Sequence, residues 1–149
     1  MVIKAATVTF ESINVGDELP SIQKSETQED IDNYLVLNER PERQFPTMNL
    51  HIDKEFSDTG IFTGTVNYGV ATCAFITELL ELAFPTKNIS QSTFSMRALE
   101  PIRANDVVTY TGKVLDKRVE DGKRLVDVEV AGTNQLGQTV AVAKATIPL

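Results

Sequence analysis

The chain has 149 residues with 14 basic and 21 acidic side chains, a formal net charge of −7, which fits one globular domain. The negative charge argues against a nucleic-acid-binding protein, since a phosphate backbone requires a positive surface. One cysteine, Cys73, and one histidine, His51, are too few for an intramolecular disulfide or a four-ligand Cys/His zinc site. With no apolar run of about 18 residues and no signal peptide, we expect a single soluble, cytoplasmic domain over residues 1–149.

The N-terminal part predicts an extended segment followed by a short helix. Residues 7–10, Thr-Val-Thr-Phe, favour a β-strand. Thr27 fits the N-cap of a helix, because the acidic residues that follow it suit the positive end of the helix dipole. Ile31, Tyr34 and Leu35 recur at helical spacing, so we expect an amphipathic helix here.

The stretch around the histidine predicts irregular structure. Pro41 and Pro46 interrupt residues 38–48, and proline at such positions favours a loop. Residues 49–60 predict a loop with one helical turn.

Residues 69–84 predict the strongest element, an almost entirely apolar helix that ends before Pro85. Such a helix is enclosed by other structure on most sides, with Glu78 and Glu81 marking the face in water. We expect Cys73, Leu79, Leu80 and Leu82 to belong to the core.

Strand patterns follow the helix. They cover residues 92–99, 107–115, 125–133 and 139–147, and residues 120–123 predict a hairpin turn. One long helix followed by consecutive strands with short turns indicates an α+β fold, an antiparallel sheet with a helix on one face.

Four segments resemble the MaoC-like hydratases and dehydratases, which include the (R)-specific enoyl-CoA hydratases. They are residues 10–20, 51–57, 62–69 and 97–106, which read FESINVGDELP, HIDKEFS, FTGTVNYG and RALEPIRAND. In the last segment Asn105 stands where the family usually has glycine. The resemblance implies a hotdog fold, in which the sheet wraps around the long central helix.

The resemblance also implies reversible hydration of an enoyl-CoA thioester, or dehydration of a 3-hydroxyacyl-CoA. His51 is the candidate acid and base, since the unperturbed pKa of histidine lies near operating pH. Gly69 is the candidate oxyanion donor, because N–H groups at a helix start lack intrahelical partners. Asp53, two residues after His51, is either a third catalytic residue or a residue that caps the loop.

The remaining site candidates lie in or near the matched segments. The predicted substrate-binding residues are Asn49, Asn67, Tyr68 and Thr77, although the pattern at Thr77 favours a hydroxyl bonded to a carbonyl of its own helix. A CoA substrate would need cations for its phosphates, which Lys87, Arg97, Arg103 and Lys113 offer. No cofactor is expected beyond the thioester substrate, on CoA or an acyl-carrier protein, and we expect a homodimer or a heterodimer with another hotdog subunit.

One departure from the family concerns its catalytic acid. The family places an aspartate five residues before the histidine, and here that position is Pro46. Another acid, Glu39, Glu42 or Asp53, would replace it, or His51 would work alone with a water held by Asn49. In the third alternative the chain is a half-site or non-catalytic subunit of a heteromeric hydratase.

A further alternative is a hotdog acyl-CoA thioesterase, in which a carboxylate directs water at the thioester carbonyl instead of at C3. The histidine signature favours the hydratase.

Overall fold

The computed structural model describes residues 1–38 and 49–149, without the side chains of residues 35–38. Its elements are β1 (Ile22–Lys24), α1 (Gln28–Asn38), α2 (Lys54–Thr59), α3 (Gly69–Ala83), α4 (Thr86–Ile89), β2 (Thr93–Ala98), β3 (Val108–Glu120), β4 (Lys123–Thr133) and β5 (Thr139–Pro148). The strands form a five-stranded antiparallel sheet in the order β1-β3-β4-β5-β2. In the described residues, no helix is long and apolar enough to cross a membrane.

The core lies between α3 and one face of the sheet. Val126, Val128 and Val130 of β4 are buried and share one cluster with Ile76 and Leu79 of α3, while the alternate residues of β4 face the other way. The period-2 pattern of this strand therefore puts its valines on the helix side. This arrangement confirms the predicted α+β hotdog fold.

The central helix lies where the sequence predicts it, but one side chain that was predicted to be buried is exposed. α3 runs from Gly69 to Ala83, and Phe84 is its C-cap, as expected before a proline. The prediction that Leu82 is a core residue is wrong, because 47% of its surface is exposed. Leu82 lies four positions after Glu78 and therefore on the same exposed face of the helix, so hydrophobic character alone did not reveal its orientation.

Residues with left-handed backbone occur in two turns that the sequence indicated. Asp121 and Gly122 have φ values of 51° and 75°, so the hairpin between β3 and β4 has the positive φ angles of a type I′ turn. Asn105 has φ 66°, and asparagine tolerates this region better than most residues. It can therefore stand where the family usually has glycine.

The N-terminal segment differs from its prediction. Residues 7–10 form turns, not a strand, because the side chains of Thr9 and Ser12 bond to each other's backbone N–H groups and offer an alternative to strand pairing. α1 begins directly after Thr27, whose hydroxyl accepts from the Asp30 N–H while Asp30 accepts from the Thr27 N–H. This capping box agrees with the predicted N-cap.

Candidate active site

Two side chains shape the turn that carries His51. The Asn49 side-chain oxygen accepts the His51 N–H at 2.9 Å, and the Asp53 carboxylate accepts the Phe56 N–H at 3.0 Å as the N-cap of α2. Asn and Asp commonly bond to nearby backbone in this way. Asp53 therefore has the capping role that the sequence offered as one of its two interpretations.

The chain after α2 folds back onto this turn and fixes the imidazole. The Val66 N–H donates to the Leu50 carbonyl at 3.3 Å, and the Val66 carbonyl lies 2.8 Å from His51 Nδ1. A carbonyl oxygen can only accept, so Nδ1 carries the proton of the neutral ring. Nε2 then holds the lone pair, as a general base requires.

Tyr68 and Gln28 complete the support of the histidine. The His51 and Tyr68 rings stack with centroids 3.7 Å apart and planes inclined by 27°. From α1, Gln28 Nε2 donates to the His51 carbonyl at 2.9 Å. We call Gln28, Asn49, His51, Val66 and Tyr68 the His51 corner.

The start of α3 adjoins the His51 corner, since Tyr68 directly precedes Gly69. Asn67 holds the segment before the helix in place with two hydrogen bonds of 2.7 Å. Its side-chain oxygen accepts the Tyr68 N–H, and its backbone N–H donates to the Ile102 carbonyl. Gly69 is exposed, and a Cβ there would meet nothing within 4 Å, so there is open space beside the first residue of the helix. Because Tyr68 stacks on the His51 ring and directly precedes Gly69, the turn that carries His51 lies beside the first residue of α3.

Tyr68 and Thr77, both predicted to bind substrate, differ in availability. The Tyr68 hydroxyl is buried without a hydrogen-bond partner among the described residues, and such a group gains from a bound oxygen or water. The Thr77 hydroxyl donates to the Cys73 carbonyl at 2.9 Å. Thr77 therefore makes the bond within its own helix that the sequence offered as an alternative.

The cations predicted to bind phosphates are not gathered at His51. Arg103 donates to the carbonyls of Phe62 and Thr65 and so secures the loop before α3. Arg97 and Lys113 line an open groove of about 970 Å³ on the sheet, to which no residue of the His51 corner contributes, and Lys113 pairs with Glu129 at 3.1 Å. Lys87 lies on α4.

The structure limits the search for the missing acid. Glu39, Glu42 and Pro46 lie outside the described residues, and within the described part of the chain no carboxylate bonds to the His51 ring. Sequence reasoning missed Gln28 and also Glu26, which bonds to Asn67. Both reach the site from the region of α1, and no local pattern signals such long-range contacts. Over the same described residues, no three His, Cys, Asp or Glu side chains form a group able to hold a metal ion.

Comparisons with known structures agree with this fold. The MaoC-like dehydratase from Rhodospirillum rubrum is 19% identical, with a TM-score of 0.76 over 96% of this chain and 97% of that one. The (R)-hydratase from A. caviae involved in PHA biosynthesis is 19% identical, with a TM-score of 0.70 over 93% and 98%. The ChsH1-ChsH2 complex from Mycobacterium tuberculosis contains a chain that is 21% identical, with a TM-score of 0.68 over 91% and 98%.

A comparison with curated proteins gave no match. The family model described as the MaoC like domain matches residues 46–136, a range that contains His51, Tyr68, Gly69 and most of the sheet. Since this match spans more than half of the chain, the protein belongs to the MaoC-like dehydratase domain family.

Proposed function

We propose that this protein catalyses reversible hydration of an enoyl-CoA thioester. His51 Nε2 takes a proton from water while the water oxygen forms a bond to C3 of the acyl chain. The protonated His51 then returns this proton to C2, and the reverse sequence expels water from the 3-hydroxyacyl thioester. The N–H of Gly69 stabilises the thioester oxygen while it carries enolate charge.

The observation that carries this proposal is the hydrogen bond between His51 Nδ1 and the Val66 carbonyl. It assigns the neutral tautomer whose free nitrogen can act as a base, at the same end of α3 as Gly69. One oxyanion donor contributes about 3–4 kcal/mol to transition-state stabilisation, and a positioned base about 10²–10⁴-fold in rate. No cofactor is needed for this chemistry.

An assay with crotonyl-CoA and longer enoyl-CoAs tests the reaction. Enoyl absorbance and free thiol are followed together. Loss of absorbance without thiol supports hydration, whereas release of thiol contradicts it and indicates a thioesterase. No change in either signal also contradicts hydration by this chain alone.

A second candidate is one subunit of a heteromeric hydratase. It is favoured by the absence, within the described residues, of a carboxylate bonded to the His51 ring, and by similarity to a chain from a two-protein complex. Within residues 1–38 and 49–149, the edge strand β2 pairs only with β5, and an open edge is suited to pairing with a second chain.

Sedimentation analysis and co-purification from the source cells test the assembly. If the isolated chain is inactive and gains hydratase activity with a co-purifying hotdog protein, the subunit candidate replaces the homomeric enzyme. Activity of the isolated chain as a homodimer contradicts the subunit candidate.

A further inference from the structure

Glu26, between β1 and α1, bonds to the segment that leads into α3. Its Oε2 accepts from Asn67 Nδ2, and Asn67 directly precedes Tyr68. On its other side lies the Tyr34 phenol, whose pKa is raised by burial and then by the charge of Glu26 and a hydrogen bond to it. The Tyr34 ring in turn lies 5.7 Å from the Tyr68 ring.

The cationic side chains near Glu26 bond to other groups. Lys24 and Arg103 line the same small cavity as Glu26, but Lys24 pairs with Glu78 at 2.7 Å and Arg103 binds loop carbonyls. Among the described residues Glu26 has no ion pair within 4 Å. A half-buried carboxylate without an ion pair is stabilised by its hydrogen-bond donors, so its bonds to those donors are strong.

The charge of Glu26 also decides which way the Asn67 amide faces. A carboxylate only accepts, so Asn67 must turn its NH₂ group toward Glu26. Its oxygen then faces the Tyr68 N–H, which it accepts at 2.7 Å. Glu26 thereby fixes the backbone of the residue on whose ring His51 lies.

We propose that Glu26 is a positioning residue of this site, which acts through Asn67 on the Tyr68 ring and the first N–H of α3. Its effect on catalysis rests on the proposed function, but its effect on geometry does not. Glu26 positions other residues of this site and takes no part in proton transfer.

The test combines kinetics with NMR of the one histidine in the chain. The variants are Glu26→Ala, Glu26→Gln, Asn67→Ala and the double variant Glu26→Ala with Asn67→Ala, and Glu29→Ala is the exposed control on α1. The ring protons of His51 report the stack on Tyr68 through its ring current, whether or not the protein is active. Initial rates with crotonyl-CoA give kcat and KM.

We expect Glu26→Ala to move the chemical shifts of the His51 ring protons toward those of histidine in an unfolded chain. We also expect kcat to fall about 10-fold while KM stays within about 2-fold, because misplaced catalytic groups reduce the rate more than they reduce substrate binding. Glu26→Gln should keep both the His51 ring signals and kcat close to those of the wild type, since the glutamine amide oxygen still accepts from Asn67. The double variant moves the signals no further than Asn67→Ala alone, and Glu29→Ala matches the wild type.

Unchanged His51 signals in folded Glu26→Ala would overturn the proposal. If that variant does not fold, unchanged His51 signals in folded Asn67→Ala overturn the proposal instead, because Glu26 is proposed to act through Asn67. Wild-type protein without hydratase activity contradicts the proposed function and leaves the NMR test of Glu26 intact, so the two failures are distinguishable.

Discussion

The helix–sheet core and the His51 corner are stabilised in different ways. The core buries apolar side chains such as Ile76, Leu79 and Phe84 almost completely, and each contributes roughly 1.5–3 kcal/mol through burial. The corner has few buried apolar groups and depends on directional bonds from Asn49 and Gln28. Substitutions in the core should therefore change unfolding, whereas substitutions in the corner should change chemistry.

The largest effect is expected for Phe84→Ala. Phe84 is fully buried at the end of α3, and its truncation leaves a cavity, so the free energy of unfolding should fall by about 3–5 kcal/mol. Urea denaturation measures this change. Leu136→Ala is the matched control, because Leu136 is 74% exposed and its loss should cost less than about 0.5 kcal/mol. Equal effects of the two variants would contradict the described core.

His51→Ala should show the opposite profile. Loss of the acid and base should lower the hydration rate at least ~100-fold, about 2.7 kcal/mol of transition-state stabilisation. The free energy of unfolding should change by less than about 1 kcal/mol, since the ring is half-buried. Retained activity, or unfolding as severe as in Phe84→Ala, would remove the distinction between the two regions.

The core should also respond to alkaline pH through Tyr110. Burial raises its pKa from 10.0 to about 12, with an opposing hydrogen bond from Thr72 and a further contribution from the charge of Glu26. The unfolded phenol ionises first, so stability is full below about pH 10 and falls as pH rises toward 12, by about 2–3 kcal/mol.

Denaturation of wild type and Tyr110→Phe from pH 8 to 12 gives the free energy of unfolding of each protein as a function of pH. The difference between the two slopes measures the contribution of Tyr110. The phenylalanine variant should lack it. Parallel slopes for the two proteins would show that Tyr110 does not titrate differently on folding.

A smaller effect is expected from overpacking. A Cβ at Gly132 would lie 2.8 Å from Cε1 of Tyr110, a ring that is 1% exposed and cannot easily move. Gly132→Ala should cost about 1–3 kcal/mol. At Gly60 the same methyl group would meet its nearest neighbour at 3.6 Å, so Gly60→Ala should be close to neutral in thermal unfolding. A neutral Gly132→Ala would mean that the core is looser than described.

The fold could be predicted where the signal is local. The proline after α3, the valines of β4 and the hairpin at Asp121 each fix structure within a few residues. Leu82 was misassigned because its apolar character was given more weight than its position four residues after Glu78 on the helix. β1 was missed because its three residues are too short for a periodic pattern.

The site could be predicted in part for the same reason. The family signature located His51 and Gly69 in sequence, and the fold brings them together. Asp53 serves its own short helix. Glu26 and Gln28 act on residues far along the chain, and such tertiary hydrogen bonds leave no pattern in one sequence.

Nitrogen-15 NMR of the single histidine tests the central claim most directly, because no assignment of competing histidines is needed. In the neutral ring, we predict a proton on Nδ1, hydrogen-bonded to the Val66 carbonyl, and an unprotonated Nε2. A neutral ring with its proton on Nε2 would contradict the assigned base and the geometry from which the hydratase mechanism was derived.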